Sequence, residues 1–421
     1  MFEAVVLGFF LSGYALIVLE HRWYLPKAVT AASLGVALWL VIALWQGDTL
    51  KEETQALGGE IFGFVFFLFA AMMLVGILAH YRLFDFIRAH LLKLGLTDLQ
   101  QFWALGVLTF GLSAVIDNLT ATIVMVQIAL RFFRGKNLLI AVTGIVIAAN
   151  AGGAFSPIGD VTTIMLWLAG KFSAQQVITE GFFPSLSMLL VSTWLLARGM
   201  KHSTRDLSAE EVSLSWSERC IIGVALGSFS LPVMFSEMGL EPYFGLFAGI
   251  GLTYAFILLF RNFGPRETHL TITMKKIFQE VNSESLLFFA GILLAVGALG
   301  HVGLLEDASQ MLFGESPSFI RLVAGSTALG VFSAVVDNIP LTAAAIEIIK
   351  TSDPSIWVLL ALTAGIGGSI LVIGSAAGVI AMGMVKDLTF GAYLRIATLP
   401  AIAGYIVAIA VWFVQRQLVF S

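Results

Sequence analysis

Asp117 is the only ionisable side chain between Leu99 and Leu130, and Asp337 the only one between Arg321 and Glu347. Each precedes an asparagine, Asn118 in SAVIDNLTATIV and Asn338 in SAVVDNIPLTAAAI. A third carboxylate, Asp160, stands alone between Lys136 and Lys171, in NAGGAFSPIGDVTT, among Asn150, Ser156, Thr162 and Thr163. Carboxylate, amide and hydroxyl oxygens on interrupted backbone make a site for a hard cation. A lone carboxylate in an apolar run is costly and points to function by default. The plainer reading is an Asp that caps a helix start, and one residue can fill both roles. Thr120, Thr122 and Thr342 add hydroxyls nearby, read equally well as packing threonines.

The runs that hold these acids say where they sit. The 421 residues are 58% hydrophobic and 12% charged, against roughly 25% charged in soluble domains. Segments 61–79, 242–260 and 396–415 are long and apolar enough to cross a bilayer. A large soluble protein would show helices with a polar face, and these are apolar all round. The expected class is therefore an all-α polytopic membrane protein with the lipid bilayer as its partner. The net charge of -4 and the lack of a basic cluster give no sign of nucleic acid. Cys220 is the only cysteine, which excludes an internal disulfide and a cysteine zinc site. The first apolar run is followed by His21, Arg22 and Lys27 without a small-residue cleavage site, so it reads as a retained span.

Spans are expected near 4–20, 28–46, 60–79, 138–171, 177–197, 219–236, 242–260, 284–301, 355–385 and 394–415. The fourth and ninth are interrupted, by Gly152, Gly153, Pro157 and Gly159, and by Gly365, Gly367, Gly368 and Gly374. An internal repeat underlies them. SAVIDN at Ser113 aligns with SAVVDN at Ser333. Gly76, His80 and Asp85 align with Gly297, His301 and Glu306, and GGAFSPIGD with GGSILVIGS at 367–375. The first repeat is placed at 1–200, with hairpin 99–130 and broken helix 138–171. A polar linker covers 201–217 within the stretch 198–218. The second repeat is 218–421, with hairpin 319–349, marked at its tip by Pro340, and broken helix 355–385.

With each Asp-Asn segment a re-entrant hairpin, each half crosses five times, and the halves are inverted. That scheme leaves only Lys51, Lys171, Arg321, Lys350 and Arg416 outside among the 23 lysines and arginines, as the positive-inside rule asks. The linker is then cytoplasmic and both termini external. The first hairpin is flanked by Arg88, Lys93, Arg131, Arg134 and Lys136, the second by Glu306, Asp307, Glu315 and Asp353, so the two enter from opposite faces. Inverted repeats with helices broken near the midplane are a secondary-transporter plan.

The repeat is uneven where it matters. Ser375 stands where the first half has Asp160, and 354–385 carries no charge. Ser369 and Ser375 offer hydroxyls only. A centre with three carboxylates and no Lys or Arg attracts cations or protons and repels anions. His80 and His301, at matching span ends, are candidates for pH sensing, though interfacial histidines are the plainer reading. Glu60 and Glu284 are read as span boundaries, the tryptophans as interface belts, and Gly245 with Gly249 as helix packing.

NAGGAFSPIGDVTTIMLW at 150–167, with the two Asp-Asn segments, resembles the NhaD-type sodium/proton antiporters of the ion transporter superfamily. The resemblance runs from the third span to the last. It implies bacterial inner-membrane proteins that expel Na⁺ or Li⁺ for H⁺, without a cofactor, as homodimers. It maps the binding centre onto Asp117, Asn118, Asn150, Ser156, Asp160, Thr162, Thr163, Ser333, Asp337, Asn338, Ser369 and Ser375, with Asp117, Asp160 and Asp337 as the sodium-binding acids. Three carboxylates close together cannot all be ionised cheaply, so sodium and protons compete for them. The main rival is a Na⁺-coupled anion symporter or oxyanion exporter of the same fold, although dicarboxylate relatives carry Ser-Asn-Thr at the tips. An intramembrane aspartyl protease would need Gly-x-Gly-Asp, and Pro157 replaces the first glycine.

Overall fold

The computed structural model describes residues 2–18, 26–47, 50–200, 212–263, 272–314 and 317–419. Most of the expected linker, 201–211, lies outside them. The described residues form helices and no strands. The first half holds α1 (Phe2–Val18), α2 (Lys27–Gln46), α3 (Lys51–His80), α4 (Leu83–Lys93), α5 (Asp98–Ser113), α6 (Asn118–Phe132), α7 (Gly135–Ala154), α8 (Val161–Leu168) and α9 (Ala174–Ala197). The second holds α10 (Trp216–Ser228), α11 (Leu231–Glu237), α12 (Pro242–Phe263), α13 (Met274–Gln279), α14 (Ser283–His301), α15 (Leu304–Leu312), α16 (Phe319–Phe332), α17 (Asn338–Ile348), α18 (Pro354–Gly367), α19 (Ala376–Met384), α20 (Phe390–Ile396) and α21 (Thr398–Val419). Among the described residues, eight helical stretches are long and apolar enough to cross a membrane. The protein is a polytopic, multi-pass membrane protein. Glu60 lies well inside α3, which begins at Lys51 instead of near residue 60.

The chain forms two compact units, each drawn from separate stretches. One comprises Met1–Tyr81, Trp216–Ser316 and Ala343–Lys350. Its centre is the pairing of α2 with α14. There a side chain at Gly291 would run into the backbone of Ala31 and Ala32, so the two helices touch main chain to main chain. Trp39 Nε1 donates to Leu294 O across the same seam at 3.0 Å. Exposed apolar residues such as Val36, Leu40 and Leu44 coat the outside of α2, as a lipid-facing surface requires.

The other unit comprises Arg82–Ser215, Pro317–Thr342 and Thr351–Ser421. Its core is α7 and α18, the two helices that run into the breaks. Nearly every residue from Ile140 to Ala154, and all from Ser355 to Gly367, is buried. Helices that are apolar on every side and rich in Ala and Gly can be enclosed in this way. Around them α5 packs on α7, α16 on α18, and α9 on α21.

The same contacts recur in the two halves of this unit. Thr97 caps α5 and Ser318 caps α16. Ser113 Oγ donates to Ala149 O at 2.6 Å, and Ser333 Oγ to Ala364 O at 2.7 Å. A side chain at Gly152 would strike Phe110 O, and one at Gly367 would strike Gly330 O. Only glycine allows that approach. Matching hydrogen bonds and close approaches thus accompany the matching sequence segments.

Candidate functional site

The site is built where α7 stops. Ala154 ends that helix, residues 155–160 run irregularly, and α8 restarts with Asp160 at its N-cap. In the second half α18 ends at Gly367, a short 3-10 turn covers Val372–Gly374, and Ser375 caps α19, its side chain accepting from Gly378 N at 3.2 Å. The breaks are held from outside. Ser156 Oγ donates to Ala114 O at 2.5 Å. Tyr393, on α20, donates to Ser369 O at 2.8 Å, and Thr398 Oγ1 to Ile370 O at 2.8 Å.

One connected set of side chains lies between the two breaks. Asn118 Nδ2 donates to Asp160 Oδ1 at 2.8 Å and to Asn150 Oδ1 at 3.1 Å. Asn150 Nδ2 donates in turn to Ser369 Oγ at 2.9 Å and Ser375 Oγ at 3.0 Å. Thr162 Oγ1 donates to Asp160 Oδ2. All six side chains are buried. Both Asn118 N–H groups point at oxygens, and both Asn150 N–H groups point across to the second half. The backbone of the first tip is tied in as well, since Asn118 N donates to Gly159 O at 3.1 Å.

The other expected residues stand around this set. Asp117 is half-buried and acts as the N-cap of α6. Its Oδ1 accepts from Thr120 N at 2.8 Å and its Oδ2 from Thr120 Oγ1 at 2.6 Å. Asp337 is half-buried at the start of α17, accepts from Ile339 N at 3.2 Å, and lies within electrostatic range of Asp160. Pro340 sits in the first turn of α17, where a missing N–H leaves no gap in the helix. Asn338 is buried and its carbonyl accepts from Thr342 Oγ1 at 2.8 Å. Ser333 bonds Ala364 O, and Thr163 bonds Ala154 O at 3.3 Å. Among the described residues no three His, Cys, Asp or Glu side chains converge as a metal site. Any cation here must be held mainly by amide, hydroxyl and main-chain oxygens around Asp160. That suits a singly charged ion better than a divalent one.

His80 and His301 belong to the other unit. His80 ends α3, with its ring edge-on to Tyr81 at 5.2 Å. His301 ends α14. Its Nδ1 is 3.0 Å from Glu53 Oε2, and its Nε2 is 3.0 Å from Gln46 Oε1. Sequence reasoning missed Tyr393, since nothing in a lone tyrosine after the break tells that it pins Ser369. Gly365, read from the sequence as part of the break, lies inside α18, where a side-chain carbon would lie 3.2 Å from Asp160 Oδ2.

Residues 14–358 match a family model described as citrate transporter, CitMHS. The chain is 34% identical to sodium/proton antiporter 1 of Arabidopsis thaliana, over 97% of this chain and 72% of that protein. It is 31% identical to the Na⁺/H⁺ antiporter NhaD of Alkalimonas amylolytica, over 97% of this chain and 89% of that protein. The chain belongs to this family, with the NhaD-type sodium/proton antiporters. The NhaD of Halomonas elongata is 31% identical over 97% of the chain and 87% of its own length. As a member of the NhaD group, the chain is a secondary transporter and not an enzyme.

Proposed function

We propose that the protein exports Na⁺, and Li⁺, in exchange for H⁺ by alternating access. The observation that carries this reading is the buried network of Asp160, Asn118, Asn150, Thr162, Ser369 and Ser375, which holds a carboxylate and no cationic side chain. Sodium entering this set meets Asp160 and the free lone pairs of amide and hydroxyl oxygens. Protons compete for the same carboxylate, so binding of one ion expels the other. Asp117 and Asp337, at the two Asp-Asn turns, are the acids an ion meets on the way in. Ser156, Thr163, Ser333 and Asn338 complete the centre. The ends of α7 and α18 add main-chain carbonyls, the negative ends of broken helices.

The repeated contacts support two repeats of inverted topology, with α5–α6 and α16–α17 as re-entrant hairpins from opposite faces. The bacterial relatives support an inner-membrane protein, and the distribution of lysines and arginines supports a cytoplasmic linker and external termini. It works as a homodimer without a cofactor, and His80 and His301 are the pH-sensing candidates. The description of the family model favours a second reading, a Na⁺-coupled anion symporter. The absence of Lys and Arg from the network speaks against a carboxylate substrate.

The test uses everted membrane vesicles with a preformed proton gradient and a pH dye. Na⁺ or Li⁺ collapses the gradient with the wild type, and Asp160→Asn abolishes the response. If Na⁺ leaves the gradient intact while labelled citrate or another dicarboxylate accumulates, the symporter reading replaces this one.

A further inference from the structure

Glu180 is the only ionisable residue within α9 and has no part in the network above. It is 3% exposed. Its Oε1 accepts from Gln176 Nε2 at 2.8 Å, and its Oε2 is buried without a hydrogen-bond partner. The facing helix is α21. Ser192 Oγ donates to Pro400 O at 3.0 Å, a side chain at Gly404 would lie 3.0 Å from Met188 O, and Gln415 Nε2 donates to Thr179 O at 2.9 Å. This antiparallel register sets Glu180 level with Trp412. Trp412 Nε1 and Gln415 Oε1 are also buried and without partners.

Among the described residues, the cations of the surrounding helices are engaged elsewhere or exposed. On α21, Arg416 forks onto Asp353, the N-cap of α18, at 3.2 and 2.6 Å. Tyr405, also on α21, donates to Thr327 O at 2.7 Å. Lys171, before α9, lies over the Trp357 ring at 4.7 Å. On α7, Lys136 is exposed. On α5, Asp98 is bonded by Asn137 at 2.7 Å. The neighbouring residue Gly181 packs on Phe155, at the break after α7, and on Leu362. Leu362 lies one helical turn before Gly365, which abuts Asp160.

We propose that Glu180 is a second proton-carrying carboxylate of the transporter, which loads and unloads a proton in each cycle without binding sodium. This rests on the antiport reading above. One open carboxylate oxygen, with an indole N–H and one amide oxygen at its level on the facing helix, offers few oxygens to Na⁺ but can carry a proton. With the proton on, the O–H of Oε2 can turn to the open Gln415 Oε1, a residue whose amide already reaches Thr179 O. When the O–H bond breaks, the electron pair stays on the carboxylate, the proton passes to water, and Trp412 Nε1–H becomes the donor to Oε2.

The full chain in proteoliposomes tests this with three readouts. Infrared difference spectra between acid and alkaline pH should hold a protonated-carboxyl band that Glu180→Gln removes. Net Na⁺/H⁺ exchange should fall about tenfold or more in Glu180→Gln and recover in Glu180→Asp. Labelled-sodium counterflow, which needs no net proton movement, should persist in both variants. An unchanged infrared spectrum, or an unchanged exchange rate, in Glu180→Gln overturns the proposal. So does loss of counterflow, which would make Glu180 a support of the sodium site. A wild type that moves no protons with sodium yet keeps the Glu180 band overturns the antiport reading alone.

Discussion

Asn118 donates to Asp160 across 2.8 Å, and so ties the turn between α5 and α6 to the break between α7 and α8. The bond orients the carboxylate while the second amide hydrogen fixes Asn150. Groups that orient an ion ligand usually matter nearly as much as the ligand. Asn118→Ala should weaken apparent sodium affinity by about 10–100-fold. Half-maximal dequenching against sodium concentration, in vesicles matched for protein amount, measures this. A shift within twofold would remove Asn118 from the site.

Asp117 holds the start of α6 through Thr120. An asparagine caps about as well as an aspartate, whereas alanine costs about 1 kcal/mol. Asp117→Asn should therefore melt in detergent like the wild type but lose exchange, because the charge is gone. Asp117→Ala should lose both. Full exchange by Asp117→Asn would leave the residue a cap and nothing more.

Gly367 and Gly223 separate close packing from mere helix placement. A methyl group at Gly367 would collide with Gly330 O, a backbone atom that cannot rotate away. Gly367→Ala should cost about 3 kcal/mol or more and give aggregated material on size-exclusion chromatography. At Gly223, in α10, an added carbon meets nothing within 4 Å. Gly223→Ala should be neutral or stabilise by up to about 1 kcal/mol.

His301 touches Glu53 through one ring nitrogen and Gln46 through the other. The Glu53 contact is an ion pair only when the ring carries both protons. His301→Gln keeps a polar side chain and removes that charge. The expected outcome is a shifted pH dependence of exchange with the maximal rate retained. A profile that overlays the wild type would make His301 an interfacial contact.

Much of the frame was legible because the chain is apolar and its exceptions are few. A lone acid in such a run, or Pro157 beside Gly159, has little else to mean than a break. Gaps fall between α7 and α8 and between α18 and α19, and α6 and α17 begin at Asn118 and Asn338. What stayed hidden depends on side-chain direction. Asp117 and Asn118 are neighbours, yet the first turns back to its own helix while the second reaches Asp160. Ser156 and Ser333 give their hydroxyl hydrogens to main-chain carbonyls, a direction that residue type alone does not reveal. The early start of α3 was missed because Glu52, Glu53 and Glu60 fit an exposed helix as readily as a loop. Glu180 gave no signal, since its burial comes from α21, more than 200 residues later.

The close approaches at Gly152 and Gly367 also set how this protein can change. Main chain there rests on main chain, and no larger residue can enter without parting the helices. An engineer who wants another ion must leave the scaffold alone. The freedom lies in exchanging Asn150, Thr162, Ser369 or Ser375 for polar groups of like size.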